Sequence, residues 1–83
     1  MHLKYSPSAE SDLACLPSSV RDRVANKVEF FVRQNDPLAF AKKLSGYNAY
    51  RFRVGNYRVI FEISEKTVFI LAIIKRDDVY RNL

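Results

Sequence analysis

Three arginines flanking a Gly-Asn dipeptide carry most of the chemistry this chain can offer. In Tyr50-Arg51-Phe52-Arg53-Val54-Gly55-Asn56-Tyr57-Arg58-Val59-Ile60-Phe61, aromatic or aliphatic residues alternate with cations. Gly-Asn between two alternating runs predicts a two-residue hairpin turn, because Gly accepts the positive φ that primed turns require. That loop length sets the register, with Val54 opposite Tyr57, Arg53 opposite Arg58, Phe52 opposite Val59 and Arg51 opposite Ile60. Period-two geometry then places Tyr50, Phe52, Val54, Tyr57, Val59 and Phe61 on a core face and Arg51, Arg53 and Arg58 on the other. Two arginines directly across a strand pair repel each other, so the arrangement suits an anion lying between them, and a polyanion is the first ligand class to consider.

The remaining inventory narrows the chemistry further. One histidine, His2, and one cysteine, Cys15, give no paired-ligand spacing for a metal, and no disulfide can form within the chain. Two glycines, Gly46 and Gly55, are too few for a phosphate-binding loop or a dinucleotide fingerprint, and no Ser/His/Asp set can be assembled. No cofactor is expected. Asp77 and Asp78 lie between basic residues and read more simply as part of a capped final turn than as a catalytic couple. What remains is cationic and aromatic: Arg51, Arg53, Arg58, Lys75, Arg76, Arg81 and Tyr80, with Lys42 and Lys43 at the rim. Guanidinium forks bind phosphate bidentately and offset charge on a pentacoordinate phosphorane, and a tyrosine can stack on an unpaired base, so the set suits RNA. The plainer alternative pairs the arginines with Glu62, Glu65, Asp77 and Asp78. For Lys42, Lys43 and Arg81 a solvated surface is the simpler reading, and Tyr80 fits either a site or packing.

These groups need a scaffold. His2–Tyr5 predicts a short strand, and Ser6-Pro7 an N-cap and first helical residue. Ala9, Leu13 and Leu16 give the first helix an apolar stripe. Pro17 separates it from a longer one in which Val20, Val24, Val28, Phe31 and Val32 recur at helical spacing. Its other face, with Arg21, Asp22, Asn26, Lys27, Glu29 and Arg33, reads as solvated. Asp36 is positioned to cap a short turn through Ala39 to Lys43, before Ser45-Gly46 releases the chain into the hairpin. A last strand, Thr67 to Ile74, follows the polar loop Ser64-Glu65-Lys66. The order β-α-α-β-β-β predicts an α+β fold with two N-terminal helices packed on one face of a small, mostly antiparallel sheet, the arginines lying on the open face.

At 83 residues and 48% hydrophobic content, with six Phe and five Tyr, the chain reads as a single domain, residues 1–83, with enough apolar material for one core. The net charge of +5 is local: residues 6–36 carry five acids and four bases, whereas residues 37–61 carry five bases and no acid. Such a field suits phosphate backbones, an acidic protein or an anionic surface. The longest apolar run, Val68 to Ile74, falls far short of the ~20 residues that span a bilayer, and no secretion signal is visible. A soluble, cytoplasmic protein without membrane attachment is expected.

Two stretches resemble the RelE/ParE superfamily of bacterial toxins from type II toxin-antitoxin systems: Leu44-Ser45-Gly46 leading into Tyr50 to Ile63, and Lys75-Arg76-Asp77-Asp78-Val79-Tyr80-Arg81. Leu16-Pro17, opening the second helix, also fits. The resemblance implies a RelE-like fold and a ribosome-dependent, metal-independent endoribonuclease that cuts mRNA in the decoding site. It also implies a cognate antitoxin that holds the toxin inactive in a hetero-oligomer. By position, Arg51 and Arg53 fall where the family places its basic pair, Arg58 where it places a transition-state arginine, Arg76 where it places a further catalytic arginine, and Tyr80 where it places a base-stacking tyrosine. Where RelE has lysines, this chain has Arg51 and Arg53, and arginine is a poor general base. Lys75, where many relatives have histidine, is the candidate for proton transfer. A ParE-like inhibitor of DNA gyrase, acting by protein binding, and a catalytically silent domain that binds antitoxin or nucleic acid are the alternatives.

Overall fold

The computed structural model describes residues 1–75. Strand β1 (His2–Tyr5) leads into helix α1 (Pro7–Ala14), whose N-cap is Ser6: its Oγ accepts a hydrogen bond from the Ala9 amide at 3.0 Å, and Pro7 opens the first turn. Helix α2 (Ser18–Arg33) buries Val24, Val28, Phe31 and Val32, the predicted stripe. A 3₁₀ turn (Pro37–Phe40) then enters β2 (Ala41–Lys43), followed by β3 (Tyr50–Val54), β4 (Tyr57–Ser64) and β5 (Thr67–Lys75).

The sheet has five strands in the order β1-β5-β4-β3-β2, antiparallel except where β1 runs parallel to β5. β2 was not expected as a strand. Ala41-Lys42-Lys43 has little β character of its own, and it is extended because it pairs with Phe52, Arg51 and Tyr50 along the free edge of β3. Asp36 precedes the 3₁₀ turn, but its side chain makes no capping bond.

The β3–β4 hairpin has the predicted register at every position from Tyr50↔Phe61 to Val54↔Tyr57. Gly55 has φ +56, whereas Asn56 is not in the positive-φ region, so the turn is of the II′ kind and Gly is required only at its first central position. The core is one cluster in which Phe52, Val54, Val59, Phe61, Val68, Ile70 and Ile73 of the sheet meet Ala9 of α1 and the α2 stripe. Tyr50 and Tyr57 pack against it, partly buried.

The apolar run in β5 is resolved by a β-bulge. Ile60 pairs with Ala72 but Phe61 with Ile70, leaving Leu71 as the extra residue. Inward-facing positions therefore step from Val68 and Ile70 to Ile73. β1 ends opposite Ile70, and the chain entering α1 takes over its role. The Ser6 amide donates to the Ile70 carbonyl at 2.8 Å, and Ser6 Oγ donates to the Leu71 carbonyl at 3.2 Å. Asp12 Oδ2 accepts from the Ile73 amide at 3.0 Å. Ser6 and Asp12 thus partner backbone groups of Ile70, Leu71 and Ile73 where β1 has ended.

Candidate active site

Cross-strand partners share a face, so Lys42, Arg51 and Ile60 lie on one side of the sheet, together with Arg53, Arg58 and Ile74. The helices cover the other side. The arginine face is not uniformly polar. Ile60, Leu71, Ala72 and Ile74, joined by Leu44 and Tyr47 from the connection before β3, line an apolar groove of about 400 Å³ that Arg51 and Arg58 border. Arg58 lies on the open face as its hairpin position predicted, but is only 8% exposed there. Ile74 of β5 lies directly across from it, a neighbour that a reading of the hairpin alone does not bring beside it.

A second hollow, of about 140 Å³, lies at the β2–β3 edge and is lined by Phe40, Lys42, Arg51 and Arg53. No carboxylate of the described residues lies within ion-pair distance of Lys42, Arg51 or Arg53. The ion pair of Arg33 with Glu29, 3.8 Å, is on the exposed face of α2. Three side-chain cations thus converge without internal neutralisation, which favours an anionic occupant. Arg53 and Arg58 are direct cross-strand partners, yet they border different hollows, and Arg51 borders both. Arg51 thus joins the two hollows, with Arg53 and Arg58 facing each other across the strand pair between them.

The other sequence candidates separate. Lys43 is exposed and pairs with Tyr50, which puts it out of phase with Lys42 and Arg51. Lys75 is exposed at the end of β5 opposite Tyr57, whose ring packs on the core, so its phase differs from that of Ile74 and Arg58. Arg76, Tyr80 and Arg81 lie outside the described residues, as do Asp77 and Asp78. Phe40 was not among the candidates. It borders the cationic hollow because β2 forms, and β2 has no sequence signal strong enough to foresee. Among the described residues, no three of His, Cys, Asp and Glu converge as metal ligands, and no helix is long and apolar enough to cross a membrane.

The family model for the ParE toxin of type II toxin-antitoxin systems, parDE, matches residues 3–80. The chain belongs to that toxin family. Toxin RelE3 of Methanocaldococcus jannaschii is 31% identical over 84 residues, spanning 96% of each chain. The toxin fold also superimposes on the RelB-RelE antitoxin-toxin complex from Methanococcus jannaschii, with TM-score 0.74 and 28% identity, over 95% of this chain and 96% of that one. A chromosomal ParDE system from P. aeruginosa gives TM-score 0.77 at 16% identity, covering 90% and 95%. That last likeness concerns the fold alone. The architecture is common to toxins named RelE and ParE, so the fold alone does not separate them.

Proposed function

We propose that this toxin is a RelE-like, ribosome-dependent endoribonuclease that cuts mRNA and so arrests translation. The observation that carries the reading is the hollow lined by Lys42, Arg51 and Arg53 with no carboxylate of the described residues beside it. The identity with Toxin RelE3 supports it. In the proposed step a ribose 2′-oxygen attacks the adjacent phosphorus, the bond from phosphorus to the 5′-oxygen breaks, and a cyclic phosphate and a 5′-hydroxyl result. The 2′-hydroxyl proton leaves to an acceptor and a proton returns to the 5′-oxygen. Charge accumulates on the non-bridging oxygens of the phosphorane, and the guanidinium groups of Arg51, Arg53 and Arg58 offset it. Arginine holds its protons, so these residues stabilise charge rather than accept the 2′-proton. Lys75 is out of phase with them and is not assigned that transfer. Arg76 and Tyr80 keep the roles of further cation and base-stacking ring that the resemblance implies, and Arg81 that of an RNA contact.

The antitoxin partner belongs to the same proposal. The apolar groove bordered by Arg51 and Arg58 fits a segment that combines apolar side chains with acids, and such a segment would cover the cations that RNA requires. A hetero-oligomer of toxin and antitoxin in the cytoplasm follows from it.

Purified toxin added to ribosomes programmed with a defined mRNA should cut at reproducible positions. Arg51→Ala and Arg53→Ala should each slow cleavage roughly 10²-fold. Arg53 is exposed, so its removal leaves the core intact, whereas Arg58→Ala also deletes buried packing and is the weaker probe. A ParE-like reading draws on the name of the matching family model. Intact mRNA together with blocked supercoiling by DNA gyrase would establish it in place of ours.

A further inference from the structure

The ring of Phe40 is 45% exposed, yet it is the outer end of a file of aromatic rings rooted in the core. Phe52 stacks on Phe61 at 4.1 Å between centroids, with 18° between planes. Phe31 lies 4.7 Å from Phe52, and Phe40 stacks on Phe31 at 5.3 Å and 25°. Phe30 meets Phe40 edge-on at 6.2 Å and 71°. One face of the Phe40 ring is therefore seated on Phe31, and its orientation is set by two neighbours.

A single exposed phenylalanine needs no explanation. This one also forms a wall of the hollow that contains Lys42, Arg51 and Arg53. It lies two residues before Lys42, at the end of the 3₁₀ turn that leads directly into β2. The hollow, at about 140 Å³, holds roughly ten times the ~10–15 Å³ that admits one water. That is room for a phosphate group, while a base attached to it would project beyond the rim. An aromatic face bordering cations that follow a backbone is the recurrent arrangement for unpaired nucleotides, because every base has a π-face and every linkage a negative charge.

We propose that Phe40 is a nucleobase platform: an unpaired base of the RNA stacks on its exposed face while Lys42, Arg51 and Arg53 hold the flanking phosphates. The proposal deepens the ribonuclease reading and rests on it for the identity of the ligand. It assigns a stacking position on the opposite side of the hairpin strands from β5. It also gives Lys42 a definite role, whereas Lys43, in the other phase, has none.

Two measurements on the full chain test it. Cleavage on programmed ribosomes is followed for wild type, Phe40→Ala, Phe40→Leu and Phe40→Trp. Equilibrium binding of a fluorescein-labelled nine-nucleotide single-stranded RNA is measured by anisotropy for the same four proteins. Thermal melts establish that each is folded. Loss of the stack should raise KM and the RNA dissociation constant roughly 5- to 100-fold for Phe40→Ala, with a smaller change in kcat. Phe40→Trp should restore both to within about threefold. Phe40→Leu keeps apolar bulk without a π-face and should remain impaired. Wild-type levels in Phe40→Leu would reduce the ring to packing and overturn the platform while leaving the ribonuclease reading intact. Unchanged RNA parameters with weakened antitoxin binding would overturn it in favour of a protein contact. Conversely, RNA binding that depends on Phe40 in a toxin that cuts no mRNA would uphold the platform and refute the ribonuclease. Absence of both cleavage and RNA binding would refute both.

Discussion

Replacing Asp12 by alanine tests whether α1 anchors the far half of β5 through one carboxylate. The Ile73 amide donates to Asp12 Oδ2 at 3.0 Å, just beyond the bulge at Leu71, where no strand is available on that side. A hydrogen bond to a charged acceptor contributes about 1.5–3 kcal/mol net, and removing the acceptor leaves the amide without its partner. The bond is only part-buried, so water recovers some of this and the expected loss is roughly 1–2 kcal/mol. For a chain of this size each kcal/mol shifts Tm by about 4–8 °C, so Asp12→Ala should melt roughly 5–15 °C below wild type. Asp12→Asn retains a neutral acceptor and should lose about half as much. Urea unfolding gives the free energies, and amide hydrogen exchange locates them, with Ile73 losing protection more than Phe52 or Phe61. A loss under ~0.5 kcal/mol, within the range of an ordinary surface change, together with unaltered exchange at Ile73, would refute the anchoring role.

The turn between β4 and β5 places both Glu65 and Lys66 in the left-handed region, φ 49 and 62. Replacing them with Asn and Gly should stabilise the fold by about 0.5–1.5 kcal/mol in urea unfolding. Burial, and secondarily the charge of Glu29, raise the Tyr5 hydroxyl above its usual 10.0. The unfolded chain then releases that proton first, so the stabilisation is complete below pH 10 and is lost as pH climbs through the raised value. Tyr5→Phe should flatten that alkaline decline in pH-dependent melts and leave the profile below pH 10 unchanged in shape. Lys42 lies directly across from Arg51, and like charges so placed destabilise a strand pair. Lys42→Thr should raise stability by about 0.2–1 kcal/mol in low salt, with the gain shrinking as salt screens the pair, while cleavage on ribosomes falls.

The hairpin was legible because Gly55-Asn56 fixes its register locally, and the helices because Ser6-Pro7, Pro17 and the Val24, Val28, Phe31 spacing are local signals as well. What escaped depends on partners distant in sequence. β2 exists because β3 offers it an edge. The bulge at Leu71 could not be read from a run, Val68 to Ile74, in which every residue is apolar and no alternation marks a phase change. Asp12 and Ile73 are 61 positions apart. The same reason explains the candidate site. Arg51 and Arg53 were placed on the correct face by alternation alone, but the division of the arginines between two hollows depends on Phe40, Lys42, Ile60 and Leu71, which three separate segments contribute.

The like-charge pair of Lys42 with Arg51 is difficult to justify as part of a scaffold. A chain of this size has little stability to spare, and a threonine at Lys42 or Arg53 would suit an exposed strand position better. Directly beneath the cations, the opposite face carries Phe52 and Phe61, the most closely stacked rings among the described residues, with Val54 and Val59 beside them. Strand β3, which carries Arg51, is therefore packed from below through Phe52. Repulsion of the kind between Lys42 and Arg51 suits charges that serve a ligand arriving on binding, since the anion then relieves a cost borne by the free protein. This pairing of strain above with packing below favours a site for a polyanion over a merely solvated basic surface, for which cations could have been scattered on α2 without opposing one another.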